Sequence, residues 1–118
     1  MLTKTQSVAE MESAAFAGDW DKFRSFLADD VSFTAELKGS KAVAEWMITM
    51  LTTRLALYDL KVRDSWDTPD AAISEFSMKA TRMKDNKDVS FPCLDVYRFH
   101  NGKINDWRVY AIEPTHIE

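Results

Sequence analysis

The chain has 118 residues, 46% of them hydrophobic, and a net charge of −4 at pH 7. This length predicts a single domain spanning residues 1–118, and the composition is typical of globular proteins. The acidic balance and the lack of a Lys/Arg cluster argue against binding to nucleic acid.

Cysteine and histidine are scarce, which limits the cofactor chemistry that the chain could support. Cys93 is the single cysteine of the sequence, so an intramolecular disulfide cannot form. One Cys with two His is also a poor set of metal ligands. We therefore expect neither a metal nor another cofactor. The N-terminal MLTKTQS lacks the apolar segment of a signal peptide, and no apolar run is long enough to cross a membrane. These features predict a cytoplasmic protein without a membrane partner.

The first part of the chain has the apolar spacing of two helices. Thr5 or Ser7 is expected to cap the first helix, and Gly18 to end it. Asp19 is expected to cap the second helix, which should end at Asp29 and Asp30. The apolar residues of the two helices are Val8, Met11, Ala15 and Phe16 in the first, and Trp20, Phe23, Phe26 and Leu27 in the second.

A short strand and a third helix follow. The segment VSFTA predicts a strand with Val31, Phe33 and Ala35 on one face. Ser40 is expected to cap a long helix whose broad apolar face covers a sheet. The residues of that face are Val43, Trp46, Met47, Met50 and Leu51.

From about Tyr58 the apolar spacing changes to two, which predicts four antiparallel strands. In the first of these, Tyr58, Leu60, Val62 and Trp66 share a face. A turn follows at residues 67–70, and the later strands are expected at residues 72–83, 89–99 and 103–112. Helices that precede a meander indicate an α+β fold, with the helices on one face of a curved sheet.

The last two predicted strands form a hairpin around His100-Asn101-Gly102. A three-residue loop with a left-handed Gly102 would pair Phe99 with Lys103 and Asp95 with Trp107. Alternation then gives one face made of Asp95, Tyr97, Phe99, Trp107, Val109 and Ala111. Because every other member of this face is apolar, we expect Asp95 to be partly desolvated and its pKa to be raised.

Asp95 is therefore the main candidate for a catalytic residue. The alternative is a buried structural acid that is satisfied by the backbone, by Tyr97 or by an arginine. Glu113 could add a second carboxylate at the pocket mouth, or it could be a solvated strand end. Several aromatic residues are candidates for the pocket lining, with ordinary core packing as the alternative: Tyr58, Trp46, Trp66, Tyr97 and Trp107.

Three segments carry a resemblance to a known superfamily: AGDWDKFRSFLADDVSF, GSKAVAEW and LDVYRFHNGKINDWRVY. In this order and at these distances they resemble the nuclear-transport-factor-2-like (NTF2-like) superfamily, in its SnoaL-like and ketosteroid-isomerase-like branches. The resemblance implies a cone-shaped, strongly bent sheet around a long helix, as in cystatin-like α-β rolls, with a pocket at the open end. It also implies a homodimer formed through sheet surfaces, and cofactor-free isomerase, dehydratase or polyketide-cyclase chemistry.

The family's site residues match this chain only in part. Asp95 matches the acid that hydrogen-bonds a developing enolate in the family's isomerases. Ala35 stands at the position of the family's base, and Met11 at that of its phenol; both are expected to line the pocket with Phe33 and Val109. Glu36 is expected to point away unless the strand bulges.

Two interpretations therefore remain. The first is an enzyme acting on a small, apolar carbonyl compound, with Asp95 as its acid/base or oxyanion donor. The second is a non-catalytic ligand-binding or dimerisation module.

Overall fold

The computed structural model describes residues 2–34 and 36–111, except for the side chains of Phe91 and Ala111. Six strands form one sheet in the order β2-β1-β6-β5-β4-β3, in which β1 runs parallel to β6 and the other neighbours are antiparallel. The elements are α1 (Lys4–Ala17), α2 (Trp20–Ser25), β1 (Leu27–Phe33), β2 (Leu37–Lys38), α3 (Ser40–Thr49), a π-helical turn (Met50–Arg54), β3 (Leu55–Asp67), β4 (Ala71–Arg82), β5 (Lys87–His100) and β6 (Lys103–Ala111).

The sheet is open and strongly curved, so the predicted α+β class is confirmed. Among the described residues, no helix combines the length and the apolar character that a bilayer crossing requires. The predicted end of the last strand at Ile112 lies outside the described residues, and so do Ala35, Glu113 and His116.

The two ends of α1 differ in how well the sequence predicts them. The helix begins earlier than expected because Thr3 and Gln6 cap it reciprocally. The Thr3 hydroxyl accepts the Gln6 amide at 3.1 Å, and the Thr3 amide donates to Gln6 Oε1 at 2.8 Å. Neither Thr5 nor Ser7 is therefore the cap. At the other end, Gly18 takes the predicted left-handed conformation, with φ = 73°.

The predicted end of α2 at Asp29 and Asp30 is wrong. Asp19 does cap this helix by accepting the Lys22 amide at 3.2 Å. The helix stops at Ser25, however, and both acids lie within β1. Long-range pairing overrides the local helical pattern here, since β1 pairs with β6 at Leu27 and again at Ser32 and Phe33, on both sides of the two acids.

Ser40 is the first residue of α3 and not its cap, which is Gly39. The Ser40 hydroxyl accepts the Arg24 guanidinium at 3.3 and 3.4 Å, so it is turned toward α2. After Thr49 the helix widens into the π-helical turn, and β3 begins at Leu55, earlier than the predicted Tyr58. Such turns are rare and occur often at functional sites.

The hairpin between β5 and β6 closes more tightly than predicted. His100 pairs with Lys103, which leaves the two-residue loop Asn101-Gly102, with φ values of 51° and 79° as a type I′ turn requires. A bulge follows between Phe99 and Arg98, with Asn105 of β6 as the extra residue, so Tyr97 lies opposite Trp107 and Asp95 opposite Val109. The predicted register was wrong by two residues. The predicted shared face nevertheless holds for its members whose side chains are described, because side chains alternate with a period of two.

The regular alternation predicted for β3 is also wrong. Register shifts between Leu57 and Asp59 and between Val62 and Asp64 break its pairing with β4. Tyr58 falls within the first shift and is 56% exposed, whereas Trp66 pairs with Ile73 beyond the second and is 44% exposed. β3 is an edge strand, where such bulges are common.

The main core lies between the three helices and the inner face of the sheet, on the β1–β6 side. Its fully buried members come from α1, β1, α3 and β6: Met11, Val31, Val43 and Ile104. Residues from helices and strands therefore pack together in this cluster. The rest of the curved sheet forms one wall of a cavity.

Ile104→Ala is expected to lower the free energy of unfolding by about 2–5 kcal/mol, since Ile104 is 0% exposed and truncation leaves a void. Urea unfolding monitored by Trp fluorescence measures the change. The neighbouring Lys103→Ala is the control, and because Lys103 is exposed its cost should stay below about 0.5 kcal/mol. Equal costs for the two variants would contradict this placement of the core.

Candidate active site

A cavity of about 500 Å³ opens between the helices and the inner face of the sheet. Most of its wall is apolar, and the part contributed by α3, the π-helical turn, β3 and β4 consists of Leu and Met side chains and one Phe: Met47, Met50, Leu51, Leu55, Leu57, Leu60, Phe76 and Met78. The volume lies within the range of small-molecule sites. A wall of this composition favours an apolar ligand, because few of its side chains can pair with a polar one.

Asp95 is the most buried acid in this cavity, with only 3% of its surface exposed. Its Oδ2 atom accepts a hydrogen bond from the Tyr97 hydroxyl at 3.1 Å and another from Trp107 Nε1 at 3.0 Å. Its Oδ1 atom is buried and has no hydrogen-bond partner among the described residues. Buried polar atoms without partners are uncommon, so this oxygen is a candidate ligand contact.

The register of the β5–β6 hairpin explains why two donors converge on one oxygen. Tyr97 is two residues beyond Asp95 on β5 and therefore projects from the same face. Trp107 lies opposite Tyr97 on β6 and shares that face as well. The Trp107 ring also packs edge-on against Phe33, with centroids 5.0 Å apart, which fixes the direction of its N–H group.

Burial raises the pKa of Asp95 to about 7, while the hydrogen bonds from Trp107 and Tyr97 act in the opposite direction. Both the neutral and the ionised carboxyl are therefore accessible near neutral pH. Since Oδ2 already accepts two hydrogen bonds, the proton of the neutral form resides on Oδ1. Asp95 can then donate from Oδ1 when it is protonated, and can accept there when it is ionised.

Glu12 is a second carboxyl group in the same cavity, and the sequence interpretation missed it. Burial and then repulsion by Asp95 raise its pKa to about 7. A signal was available in the sequence: Glu12 follows the buried Val8 by four residues and precedes the half-buried Ala15 by three. These spacings place an acid on the inner side of α1.

The cavity brings together most of the predicted lining residues: Met11, Phe33, Trp46, Tyr97, Trp107 and Val109. Tyr58 and Trp66 are not part of it, because the bulges of β3 turn both toward solvent. Ala35 and Glu113 lie outside the described residues, and Glu36 is exposed. Cys93 lines the wall, where burial raises its pKa to about 12 and keeps it a neutral thiol.

In residues 2–34 and 36–111, no three His, Cys, Asp or Glu side chains are grouped closely enough to hold a metal ion. The described part of the site contains two carboxyl groups, Asp95 and Glu12, whose raised pKa values lie near 7. Both can exchange protons near neutral pH, and the apolar wall strengthens their hydrogen bonds to a ligand.

Fold and site together define an NTF2-like domain with an acid-bearing apolar cavity. A profile of the SnoaL-like domain matches residues 8–107, and the chain belongs to this family. No curated protein matches the sequence at a significant level.

Solved structures confirm the fold. An NTF2-like protein of unknown function from Burkholderia pseudomallei has a TM-score of 0.80 at 19% identity, covering 93% of this chain and 91% of that one. A proposed polyketide cyclase from Pseudomonas putida has a TM-score of 0.74 at 22% identity, covering 93% and 92%. A ketosteroid isomerase-like protein from Catenulispora acidiphila, in complex with trimethylamine, has a TM-score of 0.78 at 12% identity, covering 92% and 86%.

The free energy of unfolding is expected to fall as the pH rises from about 4 to about 7. The unfolded chain releases the Asp95 proton near pH 4, whereas the folded protein holds it until about pH 7. The folded state therefore binds more protons across this window, and the resulting stabilisation is lost as the pH passes through the folded-state pKa. Urea unfolding at several pH values, at one protein concentration, measures the slope.

The Asp95→Asn variant is the control for this slope, because an amide cannot ionise. Its stability should depend less steeply on pH than that of the unmodified protein, with Glu12 supplying part of the slope that remains. Identical slopes for the two proteins would show that Asp95 titrates as an ordinary exposed acid.

Proposed function

We propose that this protein is a cofactor-independent enzyme that moves protons on a small, apolar carbonyl compound, with Asp95 as the acid/base or oxyanion donor. The observation that carries the proposal is the Oδ1 atom of Asp95, which is buried in a mostly apolar cavity and has no hydrogen-bond partner among the described residues. Isomerases, dehydratases and cyclases of the polyketide type share such a step, which needs no metal or organic cofactor.

The proposed step can be written for protonated Asp95. The substrate carbonyl oxygen accepts a hydrogen bond from Oδ1–H while a base removes the proton from the adjacent carbon. The electron pair of the broken C–H bond then forms the C=C bond of an enolate, and its negative charge collects on the oxygen that Asp95 contacts. Return of the proton to another carbon completes an isomerisation. A water-poor wall strengthens the hydrogen bond to this developing charge.

Tyr97 and Trp107 are positioning residues in this scheme. Their hydrogen bonds fix Oδ2, so the carboxyl group cannot rotate without losing both of them. Each bond also stabilises the ionised form, which keeps the pKa of Asp95 near the range where proton transfer in both directions is efficient.

The proposed reaction class agrees with how two of the similar structures are described. One similar structure is that of a proposed polyketide cyclase, and another has a ketosteroid isomerase-like fold. The trimethylamine in the second shows that this neighbour accommodates a small organic molecule. Because the fold hosts many functions, the proposal depends on the geometry of Asp95.

The reaction can be tested without knowing the natural substrate. Incubation with a panel of apolar cyclic ketones such as 2-tetralone in D₂O is expected to accelerate exchange of the protons next to the carbonyl. Asp95→Asn should reduce that acceleration by about 10²-fold or more, within the range typical of proton-transfer groups. Proton NMR follows the exchange directly.

Asp106→Asn is a matched control, because Asp106 lies on β6 but pairs with Arg98 and Arg108 and does not line the cavity. This variant should exchange as fast as the unmodified protein. Ketone binding without any exchange would instead favour the non-catalytic ligand-binding module.

A second proposal concerns the outer face of the sheet, where we expect a homodimer contact. Trp66, Ile73 and Val96 are cross-strand neighbours on this face, and Leu94 lies two residues from Val96. Trp66 and Leu94 are exposed, and the other two are half-buried. We call these four residues the outer patch. Contiguous apolar surface of this kind is typical of protein contacts.

Leu94→Glu is expected to convert a dimer into a monomer, because a charge would be buried opposite its own copy. Light scattering coupled to size-exclusion chromatography measures the mass. Met83→Glu is the control, since Met83 is equally apolar and exposed but lies in the β4–β5 turn, away from the outer patch. A monomeric unmodified protein at tens of micromolar would contradict the proposal.

A further inference from the structure

We infer that Glu12, which α1 carries into the cavity, is the proton-accepting group that works with Asp95. This inference rests on the proposed function and assigns the base that the step above requires. The family's base position is Ala35, and alanine cannot accept a proton. Another residue must therefore supply the base if the chain is an enzyme.

The composition of the cavity wall leaves few candidates for this base. Apart from Asp95, the titratable side chains that line it are Glu12, Cys93, Tyr97 and Tyr110, and none of the described lining residues is Lys, Arg or His. Burial holds Cys93 as a thiol and raises the pKa of Tyr97 well above its ordinary value. Tyr110 is 52% exposed and pairs across the strands with Leu94, not with Asp95. Glu12 is therefore the lining side chain that interacts with Asp95 and can be an anion near pH 7.

The geometry of α1 explains how an acid comes to be there. Met11 is fully buried in the core, which fixes the rotation of the helix. The next residue, Glu12, is half-buried and faces the cavity. Its long side chain can keep contact with water at the mouth, whereas Asp95 on the sheet cannot. The more solvated acid is therefore the better anion, and the more buried acid is the better proton donor.

Two carboxyl groups in one apolar cavity do not ionise independently. Ionising both costs desolvation and repulsion together, so the pair titrates as a unit and retains one proton over a range of pH. In that singly protonated form the site holds one acid and one base at the same time. The rate of proton exchange on the substrate should accordingly be highest near neutral pH and lower at both acidic and alkaline pH.

In the resulting step, the ionised Glu12 removes the proton next to the carbonyl while Asp95 donates its hydrogen bond to the oxygen. The C–H electron pair becomes part of the enolate, and Glu12 becomes neutral. Glu12 then returns the same proton to a carbon of the enolate, and both carboxyl groups regain their starting forms. No oxidant or reductant enters the step.

The test compares Glu12→Gln, Asp95→Asn and Glu10→Gln in two measurements. The first is exchange of 2-tetralone protons in D₂O, and the second is binding of 2-naphthol, whose phenolate mimics the enolate. Glu10 lies on α1 and is exposed, so its variant should match the unmodified protein in both. Glu12→Gln is expected to lose about 10²-fold in exchange and to bind 2-naphthol within about threefold of normal. Asp95→Asn should lose both the exchange activity and the binding of 2-naphthol.

Carboxyl ¹³C NMR gives a readout that does not depend on catalysis. Glu12 should titrate near pH 7, and its pKa should fall in Asp95→Asn because the repulsion from Asp95 is removed. Glu12→Asp should recover part of the lost exchange, since it restores a carboxylate.

The outcomes separate this inference from the proposed function. Exchange within about threefold of normal in Glu12→Gln, with loss in Asp95→Asn, would overturn the role of Glu12 and leave the enzyme proposal standing. Loss of 2-naphthol binding in Glu12→Gln would also overturn it, because Glu12 would then shape the pocket instead of moving a proton. Unchanged exchange in both variants would overturn the proposed function itself.

Discussion

The site depends on one constraint, which is the cost of placing a carboxyl group among apolar side chains. Such a group must keep its proton or find donors, since an isolated buried charge is unfavourable. Asp95 does both in part: two donors satisfy one oxygen, and burial favours the proton on the other. Burial is the larger effect and the two hydrogen bonds limit it, so the carboxyl group changes its charge near pH 7. A group balanced in this way suits proton transfer in both directions.

The β5–β6 hairpin places the two hydrogen-bond donors beside Asp95. A two-residue turn and a single bulge bring Trp107 opposite Tyr97, and the period of two then turns both donors toward Asp95. The bulges of β3 have the opposite effect on the other edge of the meander, where they turn Tyr58 and Trp66 away from the cavity. The same kind of irregularity thus separates residues that line the cavity from residues that are exposed to solvent.

The sequence predicted the fold class, the meander and the shared face of Asp95, Tyr97 and Trp107, because these depend on periodicity alone. It did not predict the positions of Tyr58 and Trp66, since a bulge changes which face a residue occupies without changing the local composition. The environment of Glu12 was missed for another reason. Helical spacing shows that this acid lies beside an apolar stripe, but its nearness to Asp95 depends on how closely α1 approaches the sheet.

A cavity whose ionisable side chains are acids also limits which ligands can enter. The described part of the wall has no cationic group to meet a carboxylate or a phosphate, so an anionic ligand would lose its hydration and face Glu12 and Asp95 uncompensated. In the proposed reaction, a neutral carbonyl compound avoids this penalty and develops negative charge only after binding, when the proton on Asp95 would stabilise it. The site therefore favours the charge of the enolate-like transition state over that of an anionic ground state. This is the preference that an enzyme of this class requires.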